Sequence, residues 1–172
     1  MDDLVPGRQR TGNGSSVATQ WQGLEMARWQ DFVAAEPEFA HLVQRLLSSQ
    51  KHLATPRRDR PPKISGTEAK IVGGDLVLGM MGGSLKVLDL LRDPRLALHS
   101  PTFDPLEDDH GGWLGDAKVA GRAVDTGGGT SDGSHSFRVE IAEVVVTRIG
   151  TPADHLDITS WHPGRGLEIG RR

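Results

Sequence analysis

Residues 52–101 read HLATPRRDRPPKISGTEAKIVGGDLVLGMMGGSLKVLDLLRDPRLALHSP, and this stretch decides the fold. It parses into three β-strands, one short helix and a fourth strand. Residues 52–55 form a short strand, 57–62 a proline-rich turn, and 64–72 an imperfectly alternating strand. Gly73-Gly74-Asp75 is a tight hairpin connection into a strand over 76–80. The spacing then predicts a helix over 84–92, with Leu85, Leu88 and Leu91 on one stripe and Asp93-Pro94 as its stop. Residues 95–102 return as a strand.

Working outward, Leu24, Ala27, Trp29, Phe32 and Val33 precede Phe39, Leu42, Val43, Leu46 and Leu47. Their spacing of three and four predicts amphipathic helices over 22–34 and 37–49. Glu36-Pro37-Glu38 suits a helix start, with proline in the first turn and acids against the dipole. Residues 1–20 are polar, rich in Gly and Ser and without periodicity, so a flexible tail is expected there, followed by one domain over 21–172. On the other side, strands are predicted over 116–125, 137–149 and 156–161. The first two should pair antiparallel. Residues 103–113 form a long acidic loop and 127–134 a flexible tip. The fold class that follows is mainly β (α+β), with six or seven antiparallel strands, helices at the N-terminus and one short helix after the third strand. Such a sheet avoids free edges by closing, wholly or partly, into a barrel.

Composition narrows the chemistry. The chain has 172 residues, 20 basic against 23 acidic, for a formal net charge of −3, which points to no nucleic-acid partner. No apolar run approaches a membrane span and no signal-peptide core opens the chain, so a cytoplasmic protein is the expectation. Cysteine and tyrosine are absent, which removes thiolate catalysis, disulfides, Cys-based metal sites and any phenolic acid or base. The histidines show no HExxH or paired spacing, so no metal site is expected. Asp104, Glu107, Asp108, Asp109 and His110 fit no calcium-loop pattern and read as a solvated loop. Abundant Gly, Ala, Arg and Asp hint at a bacterial source.

Gly83, Ser84 and Lys86 open the helix over 84–92. A helix N-terminus presents free N–H groups and the positive end of its dipole, and a hydroxyl and an ammonium added there suit an anion. Ser84 also suits a plain N-cap. Small residues at Ala54-Thr55 and Ser65–Thr67 would let a flat ring lie against a strand, and 79–83 lets the chain turn tightly toward a phosphate. Ser160-Trp161-His162-Pro163-Gly164-Arg165 is a second constellation. There Trp161, His162 and Arg165 form either a flat cationic wall over a substrate or, for Trp161, a barrel plug.

The order of His52-Leu53-Ala54-Thr55, Lys63-Ile64-Ser65-Gly66-Thr67-Glu68, Gly83-Ser84-Leu85-Lys86, Asp93-Pro94-Arg95, Gly115 to Gly121 and Glu143-Val144-Val145 resembles the pyridoxamine 5'-phosphate oxidase-like family of FMN-binding split β-barrels. The resemblance implies a homodimer with FMN between the subunits, bound by Lys63, Ser65, Thr67, Gly83, Ser84 and Lys86, with Ser84 and Lys86 matching the phosphate motif. Leu85 stands where the family's phosphate motif has Arg, which removes a bidentate contact. The implied activity is an FMN-dependent oxidoreductase acting on a small organic substrate. The C-terminal pattern departs from that of true pyridoxamine-phosphate oxidases, so pyridoxamine phosphate itself is not the expected substrate. The alternatives are a reductase using F420, with Arg57, Arg58, Lys63 and Lys70 along its tail, and a non-enzymatic flavin- or haem-binding protein with His52 or His99 as the iron ligand.

Overall fold

The computed structural model describes residues 23–102, 104, 107–109, 112–127 and 133–172. The expected tail over 1–20, His110 and most of the tip over 127–134 lie outside the described residues. The elements run α1 (Trp29–Ala35), α2 (Pro37–Leu46), β1 (Lys51–Thr55), β2 (Lys63–Val72), β3 (Asp75–Met80), α3 (Leu85–Arg92) and β4 (Arg95–His99). They continue with β5 (Asp116–Asp125), β6 (His135–Ile149), β7 (Leu156–His162) and β8 (Gly166–Arg171). The sheet is antiparallel, ordered β3-β2-β1-β4-β5-β6-β7-β8, and a further β3–β6 pairing closes the first six strands into a barrel. Strands β7 and β8 extend from it. The predicted split barrel is therefore the fold.

The split has a simple cause. Strand β6 is 15 residues long, and β5 pairs along most of one of its edges. Its other edge is divided. Strand β3 pairs with residues 135–138 and β7 with 144–149. Between them Ala27 fills the gap, donating its N–H to the Ile141 carbonyl at 2.9 Å and accepting from the Ile141 N–H at 2.8 Å. A backbone stretch that would otherwise lose its partners is satisfied by the segment leading into α1.

Behind that bridge sits an aromatic plug. Phe32 is fully buried and packs edge-on to Trp29 at 5.5 Å and to Phe39 at 5.8 Å between ring centroids. Its third aromatic neighbour is Trp161 of β7, at 4.7 Å. The helices thus seal the opening between β3 and β7. Arg28 fixes the entry to α1 through a two-pronged ion pair with Asp75, at 2.7 and 2.6 Å, while Gln30 N–H donates to the Gly74 carbonyl at 2.9 Å.

Three expectations change. The helix over 84–92 is there as α3, but its inward residues are Val87 and Leu90, and the Leu85, Leu88 and Leu91 stripe is 62, 55 and 52% exposed. A stripe spaced by three marks one face of a helix and leaves open which way that face points. Strand β8 was unexpected. Residues 166–171 carry two glycines and two charged residues around Leu167 and Ile169, and the alternation is too short to stand out. The predicted helix over 22–34 starts only at Trp29, because Ala27 is extended in its bridge to β6.

The Arg28 hydrogen bonds hold the Asp75 carboxyl below the ordinary carboxylate range. A depressed carboxyl contributes stability that is present above its unfolded pKa, near 3.9, and is lost as pH falls through the lower folded value. Asp75→Asn removes that acid-limb contribution. Chemical denaturation of the variant across the range below about pH 4 should show a flatter fall in stability than wild type.

Candidate functional site

Closing the barrel sends alternate side chains inward and leaves an outer face, and the register sets what lies on it. Ala54 of β1 is opposite Ala97 of β4, and Ala97 is opposite Ala120 of β5. These alanines form a rung across three strands, each step about 4.8 Å. Two residues away along the strands, His52, His99 and Lys118 form a parallel rung on one side. Arg95 and Arg122, themselves a registered pair, lie on the other, beside Pro56. The result is a flat slot with an apolar floor and cationic or imidazole walls. Its described opening is a cleft of about 360 Å³ over Ala54, Ala97 and Ala120.

The walls are held in place. Arg95 donates to Asp93 at 2.9 and 2.6 Å, and these bonds pull the Asp93 carboxyl below its usual range. Arg122 donates to Glu140 at 2.7 Å. Lys118 lies 3.3 Å from Asp116, and His99 Nδ1 lies 2.5 Å from the Ser100 carbonyl oxygen.

The turn that opens α3 adjoins the His52 side of the slot. Gly83 turns with φ +70°, and Ser84 caps α3 by accepting the Val87 N–H at 3.4 Å. Lys86 Nζ donates to the Gly66 carbonyl at 2.6 Å, and Gly66 is the registered neighbour of His52. The structure therefore brings Lys86 to β2, while Ser84 caps α3. It does not bring the rest of the predicted set with them. Ser65 and Thr67 pair with Leu53 and Lys51 on the inward face, and Thr67 is buried with its hydroxyl unpartnered. Gly66, between them, is the residue facing out. Lys63 opens β2 opposite Thr55, next to Pro62 at the rim of the slot. Lys63 and Lys70 are an odd number of residues apart on β2, so they point to opposite faces, and Lys70 faces Glu68 at 3.8 Å. No continuous basic track joins them.

Ala120 also lines a second, larger cleft of about 620 Å³, so the two openings meet across β5. A bulge between Ala120 and Gly121 shapes it. A Cβ on Gly121 would lie 2.0 Å from the Glu140 carbonyl oxygen, so only glycine lets β6 come this close. Past the bulge, Glu143 Oε1 meets His162 Nε2 at 3.0 Å, and Arg165 follows on the β7–β8 turn. Sequence reading grouped Trp161, His162 and Arg165. The structure separates them, with Trp161 in the aromatic plug at 4% exposure and His162 and Arg165 on the cleft. The alanine rung and the Glu143–His162 pair escaped sequence reading, since both depend on register between distant strands. Among the described residues no cluster of three or more metal-ligating side chains occurs, and no helix is long and apolar enough to cross a membrane.

No protein-family model and no curated protein sequence matches the chain. Solved structures do. PhzG from Burkholderia lata 383, solved in complex with tetrahydrophenazine-1-carboxylic acid, superposes with a TM-score of 0.58 at 10% identity, covering 83% of this chain and 95% of that one. The chain has the fold of the pyridoxamine 5'-phosphate oxidase-like split barrels. A pyridoxamine 5'-phosphate oxidase-related, FMN-binding protein from Nostoc punctiforme PCC 73102 gives 0.56 at 10% identity, covering 80% and 94%. The protein Atu2129 of Agrobacterium tumefaciens, of unknown function, gives 0.51 at 16% identity, covering 66% of this split barrel and 58% of that chain.

Trp161→Ala should lower stability in urea denaturation by about 3–5 kcal/mol, the usual loss for a buried aromatic. Arg165→Ala, at the surface of the cleft, should stay within about 0.5 kcal/mol of wild type.

Proposed function

We propose that the chain binds FMN in the outer-face slot and acts as a flavin-dependent oxidoreductase on a small organic substrate. The observation that carries this is the alanine rung of Ala54, Ala97 and Ala120, which leaves a flat apolar floor between charged walls. A planar ring system fits such a floor, and any larger side chain there would fill it. Ser84 and Lys86 stand at the His52 end, where an ammonium and a helix N-terminus suit a phosphate. Lys86 gives a point charge in place of a bidentate guanidinium, with Leu85 exposed beside it. Ser65 and Thr67 point inward and take no part, and Lys63 shares their face of β2. Bound FMN supplies two-electron transfer at its ring. The protein's part is to orient the ring, exclude water from one face and place His162 and Arg165 beside the substrate.

The second chain of a homodimer covers the slot in this reading. The exposed stripe of Leu85, Leu88 and Leu91 on α3, together with Ile64 of β2 at 71% exposure, is the apolar surface that supports it. The comparison with solved split barrels supports the fold on which this rests, while the FMN of the Nostoc protein is that protein's own.

The test is the absorbance spectrum of the freshly purified protein, repeated on the supernatant after heat denaturation, with FMN titration of any apoprotein. A released or titratable flavin is expected, with Ala97→Trp abolishing uptake and Lys86→Ala weakening it roughly tenfold, the loss of one charged hydrogen bond. A colourless protein that takes up no FMN, or variants that match wild type, would contradict the site. Leu88→Glu should shift the protein from dimer to monomer in analytical ultracentrifugation; an unchanged mass would remove α3 from the interface.

A further inference from the structure

The larger cleft holds charges that the proposed cofactor does not use. Glu25 and Arg165 both line it, and neither has a hydrogen-bonded or ion-paired side-chain partner among the described residues. They do not pair with each other either. Glu25 is set against the β7–β8 turn, where a Cβ on Gly164 would lie 2.1 Å from its Oε2. Gly164 turns at φ +75°, so glycine is required there twice, for the turn and for the carboxylate. The same turn carries Arg165, whose N–H donates to the His162 carbonyl at 3.2 Å. The turn thus carries an exposed guanidinium, and the carboxylate of Glu25, also exposed, lies against its Gly164.

The third polar group is His162. Glu143 binds its Nε2, and its Nδ1 is buried without a partner. Leu24, Ala142 and Pro163 supply the apolar remainder of the lining. A neutral apolar ligand would cover Arg165 and Glu25 without giving either a partner. A simple anion would satisfy Arg165 and be repelled by Glu25 and Glu143, and a simple cation would meet the reverse. A ligand with both charges close together meets neither penalty.

We propose that this cleft binds an amino-acid zwitterion, its carboxylate on Arg165, its ammonium between Glu25 and Glu143, and its side chain on Leu24 and Ala142. Its placement beside a flavin, through the shared Ala120, rests on the proposed function. The charge pairing does not.

The test is a thermal-shift screen of the full chain against the proteinogenic L-amino acids at millimolar concentration, with and without added FMN. Calorimetry then compares the best hit with its decarboxylated amine and its deaminated acid. At least one amino acid should bind, and each singly charged analogue should bind more weakly by roughly tenfold or more, the loss expected when a charged partner is left unpaired. Arg165→Ala should erase the difference between the amino acid and its amine, and Glu25→Gln should shrink that between the amino acid and its acid, with Glu143 still in place. FMN uptake, measured separately on each protein, should be unchanged by either substitution. No hit in the screen, or equal binding of the three compounds to wild type, overturns the proposal. Failure of FMN uptake with the amino-acid preference intact would instead count against the flavin reading alone.

Discussion

The structure depends on one constraint: a 15-residue strand whose outer edge must find hydrogen-bond partners along its length. Strand β3 is too short to cover it, and β7 reaches only its far half. The gap at Ile141 would strand a backbone donor and acceptor in a buried region, at a cost of about 1–3 kcal/mol for each group. Ala27 meets both. Once that bridge is made, α1 must lie over the opening, and Phe32 falls between Trp29, Phe39 and Trp161. The helices brace the barrel where its strands diverge.

That arrangement frees the outer face of β1, β4 and β5. The large side chains of these strands, Leu53, Leu96, Leu98 and Val119, are all buried inward. Positions facing out carry alanine in one registered rung and charge or imidazole on either side. The bulge at Gly121 then redirects β6, so that Glu143 reaches His162 and a second cleft opens beside the first. A flat floor and a polar end pocket meeting at Ala120 are what a planar cofactor and a small substrate require of a shared site.

Much of the fold was legible in the sequence because it is written locally. The Gly73-Gly74 hairpin, the Asp93-Pro94 stop, the proline at Pro37 and the long apolar run in β6 each act over a few residues. The direction of α3 was not legible. Leu85, Leu88 and Leu91 make as good an apolar stripe as Val87 and Leu90, and only packing shows which one faces the barrel. The candidate site divides the same way. Ser84 and Lys86 follow from a helix start and could be read directly, whereas Ser65 and Thr67 required the parity of β2, which hinges on one residue of register. The alanine rung joins residues up to 66 positions apart, from Ala54 to Ala120, and no local pattern announces it. Trp161 adjoins His162 in sequence, yet the two point to opposite sides of β7, as neighbours on a strand must.

The central claim is that a flavin ring lies across the alanine rung, and a crystal structure of the protein with FMN tests it most directly. The account predicts ring density spanning Ala54, Ala97 and Ala120, with the phosphate at Ser84 and Lys86. Density for FMN on any other surface, with the rung bare or covered by protein, would contradict it.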